Sequence, residues 1–204
     1  MFENKINTAK VQISRIVAIG ASTGGPKALQ EIIPVLPESI KAPVLVVQHM
    51  PQGFTKILAE RLNKLSMVTV KEAEENDILR PGYVYIAPGN YHLNVIEKKD
   101  SSLRIRLSKE EPVEGHRPSV NKMFCSLAEI KAIEKIAVIL TGMGRDGTDG
   151  LLELKKSGKV YTIAQNESTS VIYGMPKSAV EAGVVDIVLP LGDISAEIIK
   201  CVGV

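Results

Sequence analysis

Gly20-Ala21-Ser22-Thr23-Gly24-Gly25-Pro26 follows the apolar run Arg15-Ile16-Val17-Ala18-Ile19, and this junction sets how the rest of the chain is read. A short, nearly unbroken run of β-branched and small apolar residues predicts a strand buried on both faces. Pro26 predicts a helix start, because its fixed φ suits the first turn and its missing N–H would have been unpaired there anyway. That helix is expected to run to about Val35, with Ala28, Leu29, Ile32 and Ile33 on one face. A buried strand, a glycine-rich turn and an amphipathic helix are the opening of an α/β unit.

The same alternation continues outward. Val44-Leu45-Val46-Val47-Gln48 reads as a second buried strand, 53–65 as a second amphipathic helix and 67–71 as a third strand. The middle changes character. Tyr83-Val84-Tyr85-Ile86-Ala87, the turn Pro88-Gly89-Asn90, and then 92–97 and 103–107 with alternating side chains read as antiparallel strands joined by turns. Beyond them, Ser119 is placed to cap a helix over 119–130. A strand at 136–140, a helix at 149–156 capped by Asp149 and ended by Gly158-Lys159, a strand at 160–165, a helix at 176–182, a strand at 185–189 and a helix at 194–201 complete the pattern. The expected fold is a doubly wound α/β domain: a mainly parallel sheet, helices on both faces, and an antiparallel hairpin at one edge. Residues 15–204 are expected to form this single domain, with 1–14 as a linker or N-terminal arm; no internal repeat or low-complexity segment is present.

Composition narrows the function. The chain has 204 residues with a net charge of +2, too small for a nucleic-acid footprint, and its charges are interleaved, as in Lys71-Glu72-Ala73-Glu74-Glu75 and Glu97-Lys98-Lys99-Asp100. The two cysteines, Cys125 and Cys201, form no CxxC pair, which argues against a zinc site or a disulfide framework and for reduced thiols in the cytoplasm. No apolar stretch approaches membrane-span length, and the first residues lack a signal-peptide core.

In open α/β sheets the site lies beyond the carboxyl ends of the strands. Three such ends carry chemistry: Ser22 after the first strand, His49 in Gln48-His49-Met50-Pro51 after the second, and Asp146 in Thr141-Gly142-Met143-Gly144-Arg145-Asp146-Gly147 after the strand at 136–140. A serine hydroxyl becomes a nucleophile when a base takes its proton. A neutral imidazole does this near pH 7, and a carboxylate fixes its tautomer and stabilises the imidazolium. Singly, each signal has another reading. Gly20-x-Ser22-x-Gly24 also suits a phosphate-cradling turn, His49 a hydrogen-bonded structural histidine, and Asp146 a turn residue or cap; their joint occurrence on one edge favours acyl transfer. His92 reads as structural, while His116, in Glu114-Gly115-His116-Arg117-Pro118, is a second candidate base. The order Ser, His, Asp differs from the Ser, Asp, His of the α/β-hydrolases. A nucleotide-dependent oxidoreductase is the alternative, from Gly20-x-x-x-Gly24-Gly25 and the Tyr173/Lys177 spacing. Gly174 and Pro176 would break the helix that this pair needs, and no acidic residue ends the second strand to hold a ribose. A non-catalytic binding module is a third reading.

These motifs resemble those of the chemotaxis protein-glutamate methylesterases, the CheB type. The resemblance rests on 18–26, on Val47-Gln48-His49-Met50-Pro51, on 140–147, and on three further runs: Tyr85-Ile86-Ala87-Pro88-Gly89, His116-Arg117-Pro118-Ser119-Val120 and Ser170-Val171-Ile172-Tyr173-Gly174-Met175-Pro176. It implies Ser22 as nucleophile, His49 as general base and acid, Asp146 as the orienting carboxylate, and the backbone amides of Thr23 and Met143 as the oxyanion hole. Arg117, Met175, Gly24 and Gly25 are expected to line the substrate. No metal and no organic cofactor are implied. The substrate would be a glutamate methyl ester on the cytoplasmic helices of a chemoreceptor, giving glutamate and methanol, with deamidation of receptor glutamines by the same acyl chemistry. A cytoplasmic monomer is expected, with neither nucleic-acid binding nor membrane insertion. Two departures stand out. Family members usually carry a receiver domain, which is expected N-terminal to this chain in the full-length protein. Asn121 stands where Asp usually follows Arg-Pro-Ser-Val.

Overall fold

The computed structural model describes residues 13–204, so the arm expected over 1–14 falls, but for its last two residues, outside the described part. The elements in chain order are β1 (Arg15–Ala21), α1 (Gly25–Ile32) running into a 3-10 turn at Ile33–Val35, β2 (Val44–Gln48), α2 (Phe54–Leu65), β3 (Thr69–Glu72), β4 (Tyr83–Ile86), β5 (His92–Glu97), β6 (Leu103–Ser108), α3 (Val120–Ala128), β7 (Glu134–Ile139), α4 (Thr148–Ser157), β8 (Val160–Gln165), α5 (Met175–Glu181), β9 (Ile187–Leu189) and α6 (Leu191–Val202). A seven-stranded sheet runs β3-β4-β2-β1-β7-β8-β9, with every pairing parallel.

β1 shows why the central strands read as unbroken apolar runs. Its alternate residues serve two cores. Val17, Ile19 and Ala21 face α1, α2 and α6, together with Leu29, Ile32, Leu58, Leu62 and Ile198. Ile16 and Ala18 face the other side, with Phe124, Leu127, Leu151 and Leu154 of α3 and α4. Both faces of a parallel sheet must be covered, so neither face of β1 is polar.

Three expectations are corrected. β4, read with the antiparallel group, is a parallel strand inserted between β2 and β3. The antiparallel hairpin exists, but β5 and β6 form a sheet of their own rather than an edge of the main one. Leu93, Val95, Leu103 and Ile105 on its apolar face pack into the second core, against α3. Burial of that face attaches it, together with backbone hydrogen bonds from β6 to residues 76–79: the Asn76 and Leu79 N–H groups donate to the Ile105 and Leu103 carbonyls, and the Ile105 N–H to the Asp77 carbonyl, each at 2.9 Å. Asp149 does not cap α4. Gly147 is the N-cap, and Asp149 lies in the first turn, paired with Arg145 at 2.7 Å.

The strand order reverses at β1: the chain first builds outward through β2 and later through β7 on the other side. The crevice at such a switch point opens at the carboxyl ends of the flanking strands. Ser22, His49 and Asp146 follow β1, β2 and β7, the three central neighbours.

Candidate active site at the carboxyl edge of the sheet

Ser22 is pinned from three sides. Its N–H donates to the Thr141 carbonyl at 3.0 Å, and its own carbonyl accepts from the Gly25 N–H at 2.8 Å and from Gln48 Nε2 at 2.9 Å. The turn that does this is specific to glycine. Gly24 sits at φ +84°, a left-handed conformation that other residues adopt at a cost, and a Cβ on Gly25 would lie 1.9 Å from Gln48 Oε1. Gly25, expected to line the substrate, is buried under Gln48. The first helical N–H of α1, that of Gly25, is spent on the Ser22 carbonyl. The amides of Thr23 and Met143 are spent on nothing among the described residues. Both residues are exposed, Met143 to 70%.

The parallel register pairs Ala21 with Gln48, so Ser22 and His49 leave adjacent strands side by side, and the His49 N–H donates to the Ala21 carbonyl at 3.1 Å. His49 Nε2 lies 2.7 Å from Asp146 Oδ2, with both side chains nearly removed from water at 7% and 1% exposure. Asp146 is saturated. Oδ2 also accepts from the Val120 N–H at 2.7 Å, and Oδ1 accepts from Ser119 Oγ at 2.9 Å and the Asn121 N–H at 2.9 Å. Burial alone would raise its pKa. The His49 bond and the amides at the start of α3 outweigh burial, and the carboxyl is held below its usual range. An ionised carboxylate only accepts, so Nε2 of His49 carries the proton and Nδ1 keeps the lone pair. Nδ1 is buried and has no hydrogen-bond partner among the described residues, which leaves it as the basic atom.

Several contributors were not legible in the chain. Asn121 Oδ1 accepts from the Gly147 and Gly150 N–H groups at 2.9 and 2.8 Å, tying the Asp146 loop and the start of α4 to α3. Gln165 Oε1 accepts from the Thr141 N–H at 2.8 Å, and Thr141 Oγ1 donates to the Thr23 carbonyl at 2.9 Å. Buried polar residues inside apolar strands, such as Gln48 and Gln165, were the available signal. Other residues behave differently from expectation. Met175 is fully buried, against the substrate-lining role expected of it; its Sδ packs where a Cβ on Gly142 would stand. The Arg117 guanidinium is engaged by Asn90 Oδ1 and the Lys109 and Glu110 carbonyls, which makes it a brace for its own loop. His92 is structural as expected. It is buried, accepts from the Ser119 N–H through Nδ1 and donates to the Glu111 carbonyl through Nε2. His116 lies with its ring stacked on that of His49, 3.8 Å between centroids. Gly20 is small for packing rather than for phosphate, since a Cβ there would lie 2.4 Å from Val120 Cγ1. Lys177 lies within α5 and Tyr173 outside it, so they do not share a helix face. Cys125 and Cys201 are both free thiols. No helix among the described residues is long and apolar enough to cross a membrane.

Residues 17–198 match the family described as CheB methylesterase. A protein-glutamate methylesterase/protein-glutamine glutaminase of Oceanobacillus iheyensis is 52% identical over 196 residues, 96% of this chain and 55% of that protein. Its counterpart in Geobacillus kaustophilus is 51% identical over 188 residues, 92% of this chain and 54% of that protein. The crystal structure of the Thermotoga maritima CheB methylesterase catalytic domain superposes with a TM-score of 0.88 at 48% identity, covering 92% of this chain and 98% of that one. The chain thus spans about half the length of the curated relatives it matches.

Proposed function

We propose, from the premise that this chain belongs to the CheB methylesterase family, that it hydrolyses glutamate methyl esters on the cytoplasmic helices of chemoreceptors and deamidates receptor glutamines by the same route. The observation that carries this reading is the His49–Asp146 pair, 2.7 Å apart and buried, in which His49 directly follows the Ala21–Gln48 strand pair, as Ser22 does, and keeps Nδ1 without a partner among the described residues. Ser22 Oγ attacks the ester carbonyl as its proton passes to His49 Nδ1, and the imidazolium formed is stabilised by Asp146. The amides of Thr23 and Met143 donate to the oxyanion. Collapse expels methanol, which takes the proton from His49, and leaves an acyl-enzyme on Ser22. Water, deprotonated by His49, then releases glutamate. With a glutamine substrate the leaving group is ammonia. Every group in this scheme comes from one copy of the chain; on this reading residues 15–204 are the catalytic unit, acting as a monomer in the cytoplasm beside an N-terminal receiver domain of the full-length protein. No metal or organic cofactor takes part in the scheme. Met143 and Val171, exposed to 70% and 64% in loops beside the Ser22 turn, offer apolar contacts to a protein substrate. The deciding assay is methanol release from a fully methylated receptor cytoplasmic fragment. Ser22→Ala and His49→Ala should each cut turnover by roughly 10³-fold or more, with the double variant little worse than either. Wild-type rates from Ser22→Ala would refute the assignment.

A further inference from the structure

His116 reaches the site from a different part of the chain, and its placement is built rather than incidental. Val113 and His116 exchange both backbone hydrogen bonds, at 3.1 and 2.9 Å, across a two-residue turn. Glu114 and Gly115 at the turn's centre have φ of 50° and 80°, the left-handed pair that closes a tight hairpin. Arg117, the next residue, bonds the Lys109 and Glu110 carbonyls, so the loop is tied down on both sides of the histidine. The His116 ring then lies on the His49 ring, 3.8 Å between centroids and 11° from parallel.

We infer that His116 is a positioning residue for His49: its ring clamps the face of the imidazole so that Nδ1 keeps the orientation that the Nε2–Asp146 bond alone leaves free to swing. The need follows from the geometry of the base. Among the described residues the His49 side chain has one hydrogen bond, at Nε2, and a ring held at a single atom can still swing about that contact. A stacked neighbour removes the swing. It also excludes water from one face of the imidazolium that forms during acyl transfer, and a neutral π face beneath a cation is attractive. His116 is kept neutral for this purpose. Burial depresses its pKa, and the adjacent His49 adds to that, against the opposing pull of Asp146 and Glu114. A proton transfer through His116 is not needed, because Asp146 and Nδ1 of His49 already account for every proton in the reaction.

This inference rests on the esterase reading, and two readouts separate them. In the methanol-release assay, His116→Ala should lower kcat by roughly 10- to 100-fold, the cost of a misaimed reacting group, with KM unchanged. His116→Phe should restore most of the loss, since it keeps a flat π face and carries no proton. An unimpaired His116→Ala, or a His116→Phe as slow as the alanine variant, overturns the clamp. The second readout needs no turnover. In NMR spectra the carbon-bound ring protons of His49 should be shifted by the ring current of their neighbour in the wild type and in His116→Phe, and lose that shift in His116→Ala. Identical His49 signals in all three proteins overturn the clamp. A wild type without esterase activity but with the expected shifts sinks the esterase reading alone.

Discussion

Replacing Asp146 by Asn keeps the shape of the side chain and changes one acceptor into a donor, at a site where the structure leaves no room for that change. The four donors fall two to each oxygen: His49 Nε2 and the Val120 N–H on Oδ2, Ser119 Oγ and the Asn121 N–H on Oδ1. Each side holds one partner that can reverse its role, the imidazole by changing tautomer or the hydroxyl by rotating, and one backbone N–H that cannot. Whichever way the amide turns, its NH₂ faces a backbone N–H at the buried start of α3 and orphans it. An unsatisfied buried donor costs about 1–3 kcal/mol. Losing an anion at a helix N-terminus adds about 1 kcal/mol. Asp146→Asn should therefore be about 2–4 kcal/mol less stable at pH 7, read as a lower urea midpoint at constant slope. Because the native pKa is depressed, this contribution is fully present above the unfolded value near 3.9 and is lost as pH falls through the native one. The gap between the two proteins should persist from pH 7 to 5 and close only in stronger acid. Turnover should fall by up to roughly 10⁴-fold if the NH₂ faces His49, since that forces the proton onto Nδ1. A stability loss below about 0.5 kcal/mol, the range of ordinary surface changes, would refute the reasoning.

Two further outcomes follow from the same packing. Asn121→Ala removes the acceptor of two buried N–H groups and should cost roughly 2–4 kcal/mol, whereas Asn121→Asp keeps an acceptor there and should recover most of it; equal losses in thermal unfolding would show that the cap is not the source. His92 and His116 both have pKa values lowered chiefly by burial. The unfolded chain then binds protons first as pH drops below about 6.5, so stability measured at pH 5.5 should be lower than at 7.5, with a shallower fall in His116→Phe. Stability that stays level or rises over that interval would contradict the burial argument.

Local pattern was sufficient for much of this protein. The apolar run before Ser22, the Pro26 start, the Ser119 cap and the alternation after residue 130 each depend on neighbours within a few residues, and each took its expected form. The chain also placed Ser22, His49 and Asp146 at three strand ends, because a strand's carboxyl end is a position in sequence as well as in space. Pairing was not local. The insertion of β4 between β2 and β3, and the separation of the hairpin from the main sheet, depend on which distant strands compete for each edge and which apolar faces remain to be covered. The same holds for the surroundings of the reacting groups. The start of α3 saturating Asp146, Asn121 holding the Gly147 and Gly150 amides at the start of α4, Met175 filling space beside Gly142 and His116 lying on His49 all join residues about 25 or more positions apart. A residue's type shows what bond it can make. Only the closed packing of both cores decides which partner it meets.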